Sequence, residues 1–421
     1  MKDYDVHPTS IKFLGGAEEV GKVGMLLETR NHRVIFDYGF NAEDPPNYPI
    51  FANEPIDFAF LTHAHLDHSG MMPYLTKGDT EFFGTSLTSE IATLLHEDSL
   101  KIAKLEGYSH PYGKKSVRLF RNRYHNVSVN QTITLQDVSI DVKYAGHIPG
   151  AVMYLVTGKK TLLFTGDINY IDTDLVYKCD TPRADILVVE ATYAGRNHPD
   201  RKETERLFVE EVRNTIETGG KVVIPSFAVG RTQEVLISLN MLKGKYNIWL
   251  DGMGKKINQI YTMFRQYIKN YSGLKKAMLN INVVNNRYDR ERAMMDGDII
   301  VTTSGMLDGG PVEYYLSNIK DDPKSAVYLT GFQVPNSNGR RLFEQGIVDL
   351  YGLMVQPQFK VKMFNFSAHI DHNHLVRFIR EVNPEKVILM HTDNREPIMQ
   401  ELNGEYNFIV PKNGEKILLD I

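Results

Sequence analysis

Short apolar runs alternate with polar or glycine-containing breaks through the first part of the chain. Residues 11–14, 25–29 and 34–36 are compact β-type runs, spaced like the start of an antiparallel sheet. Residues 56–61 form another apolar run, and Asp67-His68-Ser69-Gly70 behind it reads as the start of a helix over 71–75. Apolar residues at 87, 91, 94, 95 and 102 keep a helical period, so 87–105 is expected to be a helix, with His96 packed inside it rather than binding anything. From 117 to 166 the strand pattern returns, in runs at 138–142, 152–156 and 162–165, and 185–189 follows as a buried strand. Gly15-Gly16 lacks the Gly-Lys-Ser/Thr that would complete a phosphate loop and reads as a turn.

The pattern changes near residue 204. Helical stretches at 204–218 and 231–242 alternate with strands at 221–224, 248–250, 299–301 and 327–329. Such βα alternation implies a mainly parallel sheet covered by helices on both faces. Residues 205–355 therefore read as a second domain inserted between 1–204 and 356–421. The tail returns to apolar strands flanked by histidine, at 363–369 and 387–391.

Composition narrows the class without changing this picture. Of 421 residues 42% are hydrophobic and 24% charged, ordinary values for a soluble globular protein. Lys and Arg number 48 against 52 Asp and Glu, a net charge of −4, so a polyanionic partner would need a local positive cleft or bound cations. Cys179 stands alone, which excludes an intramolecular disulfide and fits a reducing compartment. Residues 1–5 lack the apolar centre of a secretion signal, and no run is long enough to span a bilayer. A cytoplasmic protein without a membrane partner is expected.

The chemistry is concentrated in Thr62-His63-Ala64-His65-Leu66-Asp67-His68. In an extended segment residues i and i+2 point the same way, so His63 and His65 can share one cation. A turn after them would aim Asp67 and His68 at a neighbouring spot, which suggests two adjacent metals. Imidazole and carboxylate without thiolate suit Zn²⁺, with Mn²⁺ or Fe²⁺ as alternatives. His147, Asp167, Glu190, His369 and His391 also follow apolar runs. Strand ends on one edge of a sheet converge, and Asp167 is placed to bridge. Two ions about 3.5–4 Å apart can share a hydroxide and favour hydrolysis, whether of a phosphodiester, a thioester or an amide.

With Asp37, His147 and Asp167, the His63-x-His65-x-Asp67-His68 run resembles the metallo-β-lactamase superfamily. The later motifs resemble its β-CASP branch, nucleases that include ribonuclease J and the cleavage and polyadenylation specificity factor endonuclease. They are Glu190, Ile224-Pro225-Ser226-Phe227-Ala228-Val229-Gly230-Arg231-Thr232-Gln233-Glu234, Thr303-Ser304-Gly305-Met306-Leu307, Gly331-Phe332-Gln333-Val334-Pro335, Gly339-Arg340-Arg341-Leu342, Phe366-Ser367-Ala368-His369 and His391. The resemblance spans nearly the whole chain and implies an α/β architecture, an αββα metallo-β-lactamase sandwich with an inserted β-CASP α/β domain.

It also implies roles. His63, His65 and His147 would hold one zinc, Asp67, His68 and His391 a second, with Asp167 between them and Asp37 orienting the loop. His369, charged by Glu190, would act as general acid or electrostatic stabiliser. The activity implied is a zinc-dependent ribonuclease that hydrolyses phosphodiester bonds of single-stranded RNA, by endonucleolytic cutting, 5′-to-3′ trimming or both, through a two-metal hydroxide mechanism. DNA-processing relatives tend to carry valine at the position of His391, which favours RNA. One departure stands out: His391-Thr392-Asp393 replaces the His-Gly-Glu of many relatives. No appended RNA-binding or dimerisation module is expected, so a homodimer, or a place in an RNA-processing complex, would rest on these domains. Competing readings are a DNA nuclease, a small-molecule hydrolase such as a thioesterase, and an inactive scaffold; the inserted domain argues against a small substrate, and the complete ligand set against a scaffold.

Other groups are weaker. Arg231, Arg340 and Arg341 could hold an RNA backbone or make helix-surface ion pairs. Ser226, Ser304 and Ser367 border tight turns suited to phosphate, Ser367 best of all beside His369. The basic-aromatic run 118–124 could track single-stranded RNA, although a solvated strand face is the commoner outcome. His372 and His374 read as a solvent-facing helix start, Met294-Met295 as core filler, and His7, His32, His110, His125 and His198 receive no role.

Overall fold

The protein is represented by a computed structural model that describes residues 9–43, 45–242, 244–334, 336–419 and 421. Residues 1–5, His7 and Pro335, which entered the sequence reading, lie outside the described residues. The chain forms two compact units. One comprises residues up to Asp172, Tyr177–Asn197 and His369–Ile421; the other comprises Thr173–Val176 and His198–Ala368.

In the first unit two seven-stranded sheets share one core. The first runs Lys416–Leu418, Ser10–Gly15, Gly24–Glu28, Arg33–Phe36, Phe58–Phe60, Glu81–Gly84 and Tyr124–Asn126. The second runs Asn407–Ile409, Lys386–Met390, Ile186–Glu190, Thr161–Phe164, Val152–Thr157, Ser139–Tyr144 and Thr132–Thr134. Alternate residues point inward, as strand geometry requires. Ile11 and Phe13, Met25 and Leu27, Val34 and Phe36 thus meet Ile140 and Val142, Tyr154 and Val156, Leu162 and Phe164 in one cluster. Phe36 joins the layers, its ring 5.6 Å from Phe60 in its own sheet and 5.8 and 5.4 Å from Tyr154 and Phe164 in the other. Helices cover the outer faces, giving the αββα sandwich. Phe120 of helix Lys114–Asn122, for example, packs on Phe82 at 5.0 Å.

Two expectations fail here. The segment after His65 is a one-turn helix Leu66–Ser69 followed by a 3₁₀ turn Met72–Lys77, not a helix over 71–75. Asp67 and His68 therefore lie within the first turn rather than before it. The run 118–124 is mostly the helix Lys114–Asn122, because Val117 and Phe120, three apart, are its buried positions. With Phe120 buried, that ring offers no stacking surface to RNA.

The second unit is built on a six-stranded sheet, ordered Asn282–Val283, Ile248–Asp251, Ile299–Thr302, Val222–Pro225, Ala326–Leu329 and Lys360–Met363. Every pairing in it is parallel. All four residues of Val222–Pro225 and of Ile299–Thr302 are buried, as expected of strands covered on both faces. The last strand corrects the boundary near 355: Lys360–Met363 pairs with Ala326–Leu329, so this unit runs to Ala368. The strand expected over 363–369 stops at Met363. Met295 is exposed while Met294 packs against the core, so only one of the pair is filler.

Phe36→Ala is expected to lower the stability of the first unit by about 3–5 kcal/mol, read from the urea midpoint. Ile102→Ala, on an exposed helix position, is expected to change it by about 0.5 kcal/mol or less.

Candidate metal centre

Strand polarity assembles the site. Asp37 follows Phe36, and His63 lies three residues beyond Phe60, on neighbouring parallel strands of the first sheet. In the second sheet Asp167 follows Thr161–Phe164, Glu190 ends Ile186–Glu190 and His391 follows Lys386–Met390, three adjacent parallel strands. His147 follows Ser139–Tyr144, which runs in the same sense two strands away. His369 alone is not at a strand end; irregular chain carries it from Met363. All nine candidate groups, with Asp37, belong to the first unit.

The His63–His68 loop lies flat on residues 37–40. Tyr38 donates its N–H to His68 O at 2.7 Å, and Val23 donates to Asp67 O at 2.8 Å. Gly39 permits this approach, since a Cβ there would sit 1.9 Å from Asp67 O. Asp37 and His391 adopt left-handed backbone, with φ of 54° and 55°. Such residues cost on the order of 1–3 kcal/mol each and persist only where surroundings enforce them.

The donor atoms face one another. His65 Nδ1 lies 3.1 Å from His63 Nε2 and 3.3 Å from His147 Nε2. Those two Nε2 atoms stand 3.6 and 3.7 Å from Asp167 Oδ2. Ligands about 2.0–2.1 Å from a tetrahedral ion are about 3.3–3.4 Å apart, so this set fits zinc. A second set adjoins it. His68 Nε2 is 3.3 Å from Asp167 Oδ2 and 4.0 Å from Asp67 Oδ2, which is 3.4 Å from His391 Nε2. His68 Nε2 and Asp167 Oδ1 are buried and have no hydrogen-bond partner among the described residues. Both atoms are what a cation would satisfy.

Around these atoms hydrogen bonds fix the rings. Asp37 accepts the Thr62 N–H and hydroxyl, each at 2.7 Å, and lies 2.7 Å from His68 Nδ1. Glu190 lies 2.9 and 3.1 Å from His369 Nδ1 and accepts the Ile168 N–H at 2.9 Å. Burial draws the His369 pKa down, but the charges of Glu190 and Asp167 outweigh it and leave it raised to about 9. Burial likewise lowers His68, and Asp167, Asp37 and Asp67 lift it well above the ordinary value. Burial pushes the Asp167 carboxyl up, yet His68, His391 and His369 hold it well below the usual carboxylate range. The Asp67 and His369 side chains are 32% and 21% exposed, while those of His63, His68, Asp167 and His391 are buried.

Sequence reasoning missed Thr62 and Thr192, whose hydroxyls touch Asp37 and Glu190. Adjacency to His63 and to Glu190 was the only available signal. The Thr392 side chain turns back to the Asn394 N–H at 3.1 Å and Asp393 is exposed, so neither joins the donor sets in place of Gly-Glu. Ser226, Ser304, Ser367 and Arg231 belong to the second unit. There Ser226 is buried 3.2 Å from the Thr330 hydroxyl, and the Ser367 N–H donates to Asn365 at 2.8 Å. Arg340 pairs with Glu344 at 2.6 Å, and Arg341 lies 3.8 Å from Met354 Sδ. His372, expected to face solvent, is buried; its Nδ1 accepts the Gly195 N–H at 2.9 Å and its Nε2 lies 2.6 Å from Glu401.

Comparison with known proteins places this geometry. Residues 32–218 match the Beta-lactamase superfamily domain, 232–342 the Beta-Casp domain and 354–397 the Zn-dependent metallo-hydrolase RNA specificity domain. The chain is 36% identical to Probable RNase MJ4 of Methanocaldococcus jannaschii, over 97% of this chain and 99% of that protein. It belongs to the β-CASP branch of the metallo-β-lactamase superfamily. Another β-CASP relative is RNase aCSPSF2 of Saccharolobus solfataricus, 34% identical over 99% of this chain and 87% of that protein. Transcription termination factor FttA of M. jannaschii is 33% identical over 90% of this chain and 66% of its own length. A crystal structure of a protein of unknown function from Enterococcus faecalis V583 shares the fold, with a TM-score of 0.63 at 14% identity over 98% of this chain and 100% of that one.

His96, as expected, packs: it is buried, bonded through Nε2 to Ser69 O at 2.9 Å, with burial holding its pKa down to about 3. The unfolded chain protonates this imidazole near its ordinary pKa of about 6.5 while the folded chain does not. Stability is therefore lost as pH falls below that value, by about 1.4 kcal/mol per pH unit. His96→Gln keeps a donor and lacks the titration. Between pH 7 and 5 its stability relative to wild type, from urea unfolding, is expected to improve by about 2 kcal/mol.

Proposed function

We propose that the protein is a zinc-dependent ribonuclease that hydrolyses phosphodiester bonds of single-stranded RNA. The observation that carries this reading is the pair of adjoining donor sets, His63, His65, His147 and Asp167 beside Asp67, His68 and His391, with buried His68 Nε2 and Asp167 Oδ1 lacking a hydrogen-bond partner among the described residues. His63, His65, His147 and Asp167 would hold one ion, and Asp67, His68 and His391 with Asp167 the other. Glu190 faces His369 and Asp37 faces His68, which leaves Asp67 and Asp167 as the carboxylates whose charge bound cations would balance. When bound, such ions lower the pKa of water and neutralise charge on a phosphoryl oxygen. RNA as substrate is favoured by the RNase names of the relatives and by the RNA specificity domain matched at 354–397.

The chain's own residues supply proton transfer and positioning. Asp37 and Thr62 hold the His68 and His63 rings in register. Glu190 keeps His369 protonated, on the open side of the site. In hydrolysis the oxygen of water adds to phosphorus while the bond from phosphorus to the leaving ribose oxygen breaks. That oxygen takes its proton from His369, and the water's proton passes to solvent.

Labelled single-stranded RNA should be cleaved by the purified protein, and chelation should abolish cleavage until zinc or manganese is restored. His369→Ala should lower kcat about 10²–10⁴-fold while metal content, measured by elemental analysis, stays that of wild type. Cleavage that survives complete metal removal overturns the reading, and metal loss in the His369 variant overturns the role given to that residue.

A further inference from the structure

Thr192 lies between the two halves of the site, and neither the donor sets nor the His369–Glu190 pair uses it. Its hydroxyl oxygen is 2.6 Å from Glu190 Oε2 and 2.9 Å from His391 Nδ1, with His391 O at 3.2 Å. A hydroxyl has one proton to give. The carboxylate is the strongest acceptor of the three and the nearest, so that proton goes to Glu190. The contact with His391 can then be a hydrogen bond only if Nδ1 carries the hydrogen and donates it to the threonine oxygen. That leaves the His391 Nε2 lone pair directed to the side where Asp67 Oδ2 stands, at 3.4 Å.

We infer that Thr192 is a positioning residue that sets the tautomer of His391 and ties it to the carboxylate serving His369. The relay runs from His391 Nδ1–H to the Thr192 oxygen, from the Thr192 hydroxyl to Glu190, and from His369 Nδ1–H to Glu190. Ring nitrogens that bind a metal are set by the hydrogen bond the opposite nitrogen makes. Among the described residues the competing acceptor is Asp167 Oδ1, 3.5 Å from His391 Nδ1. It is more distant, and the same carboxyl stands 3.6 and 3.7 Å from His63 and His147 Nε2 in the first donor set, so recruiting it would pull that group out of place. The inference deepens the proposed function, because it assigns His391 Nε2 to the second ion.

Thr192→Val removes the hydroxyl at nearly constant shape, and Thr192→Ser keeps it. In metal-free protein at pH 8, nitrogen-15 imidazole spectra should show the His391 Nδ1–H signal in wild type and the serine variant, lost or broadened by exchange in the valine variant. This readout needs neither zinc nor RNA, so it stands even if the proposed function fails. With zinc as the probe, dialysis against graded chelator should show affinity for one of two ions reduced about 10–100-fold in the valine variant and restored in the serine variant. At saturating zinc, kcat for RNA should fall at least tenfold with KM unchanged. An unchanged Nδ1–H signal in the valine variant overturns the inference, since Asp167 then suffices. So does a serine variant as impaired as valine, since the methyl group then matters and the hydroxyl does not. A wild-type protein that binds no zinc and cuts no RNA would instead overturn the proposed function.

Discussion

Negative charge withdrawn from water is the constraint on which the first unit depends. Asp37, Asp167 and Glu190 are each 0–1% exposed, and a carboxylate in such surroundings costs several kcal/mol unless it is compensated. Asp37 is answered by Thr62 and His68, and Glu190 by Ile168, Thr192 and His369. Asp167 is not fully answered, for its Oδ1 meets no hydrogen-bond donor among the described residues. At that atom the protein's own groups run out, and a cation is the species that fits.

The fold meets this constraint through strand direction. Parallel neighbours deliver side chains to the same edge, so five strands in two sheets bring imidazole and carboxylate to one place without long loops. The one loop that does the fine placement, 63–68, rests on residues 37–40, where Gly39 lets backbone meet backbone. The second unit follows the same logic with other residues. Ser226, Ser304 and Gly331 each follow a strand of its parallel sheet, at the carboxyl edge.

Where sequence and structure part, the cause is a choice that local pattern leaves open. Residues 118–124 carry aromatic and basic side chains at spacings that suit either a strand or a helix, and burial of Val117 and Phe120 three apart selects the helix. Residues 360–363 could extend either unit, and pairing with Ala326–Leu329 assigns them to the second. His372 opens a helix as expected, yet it is buried, because the Gly195 N–H and Glu401 bracket its ring. Residues Thr173–Val176 depart into the second unit, where the Leu175 N–H meets Glu234 at 3.2 Å, an excursion no pattern announced.

The amino-acid sequence alone carried the chemistry of the site and most of its framework. Residue types are fixed by the chain, and an apolar run ending in Asp, Glu or His shows where a strand edge places a candidate ligand. Tertiary structure alone decided which atoms face each other. That His391 meets Thr192 and Asp67, or that Asp37 meets His68, depends on segments up to 324 residues apart being packed into register. Hydrogen-bond partners at that separation follow from the closing of the core, which no local spacing encodes.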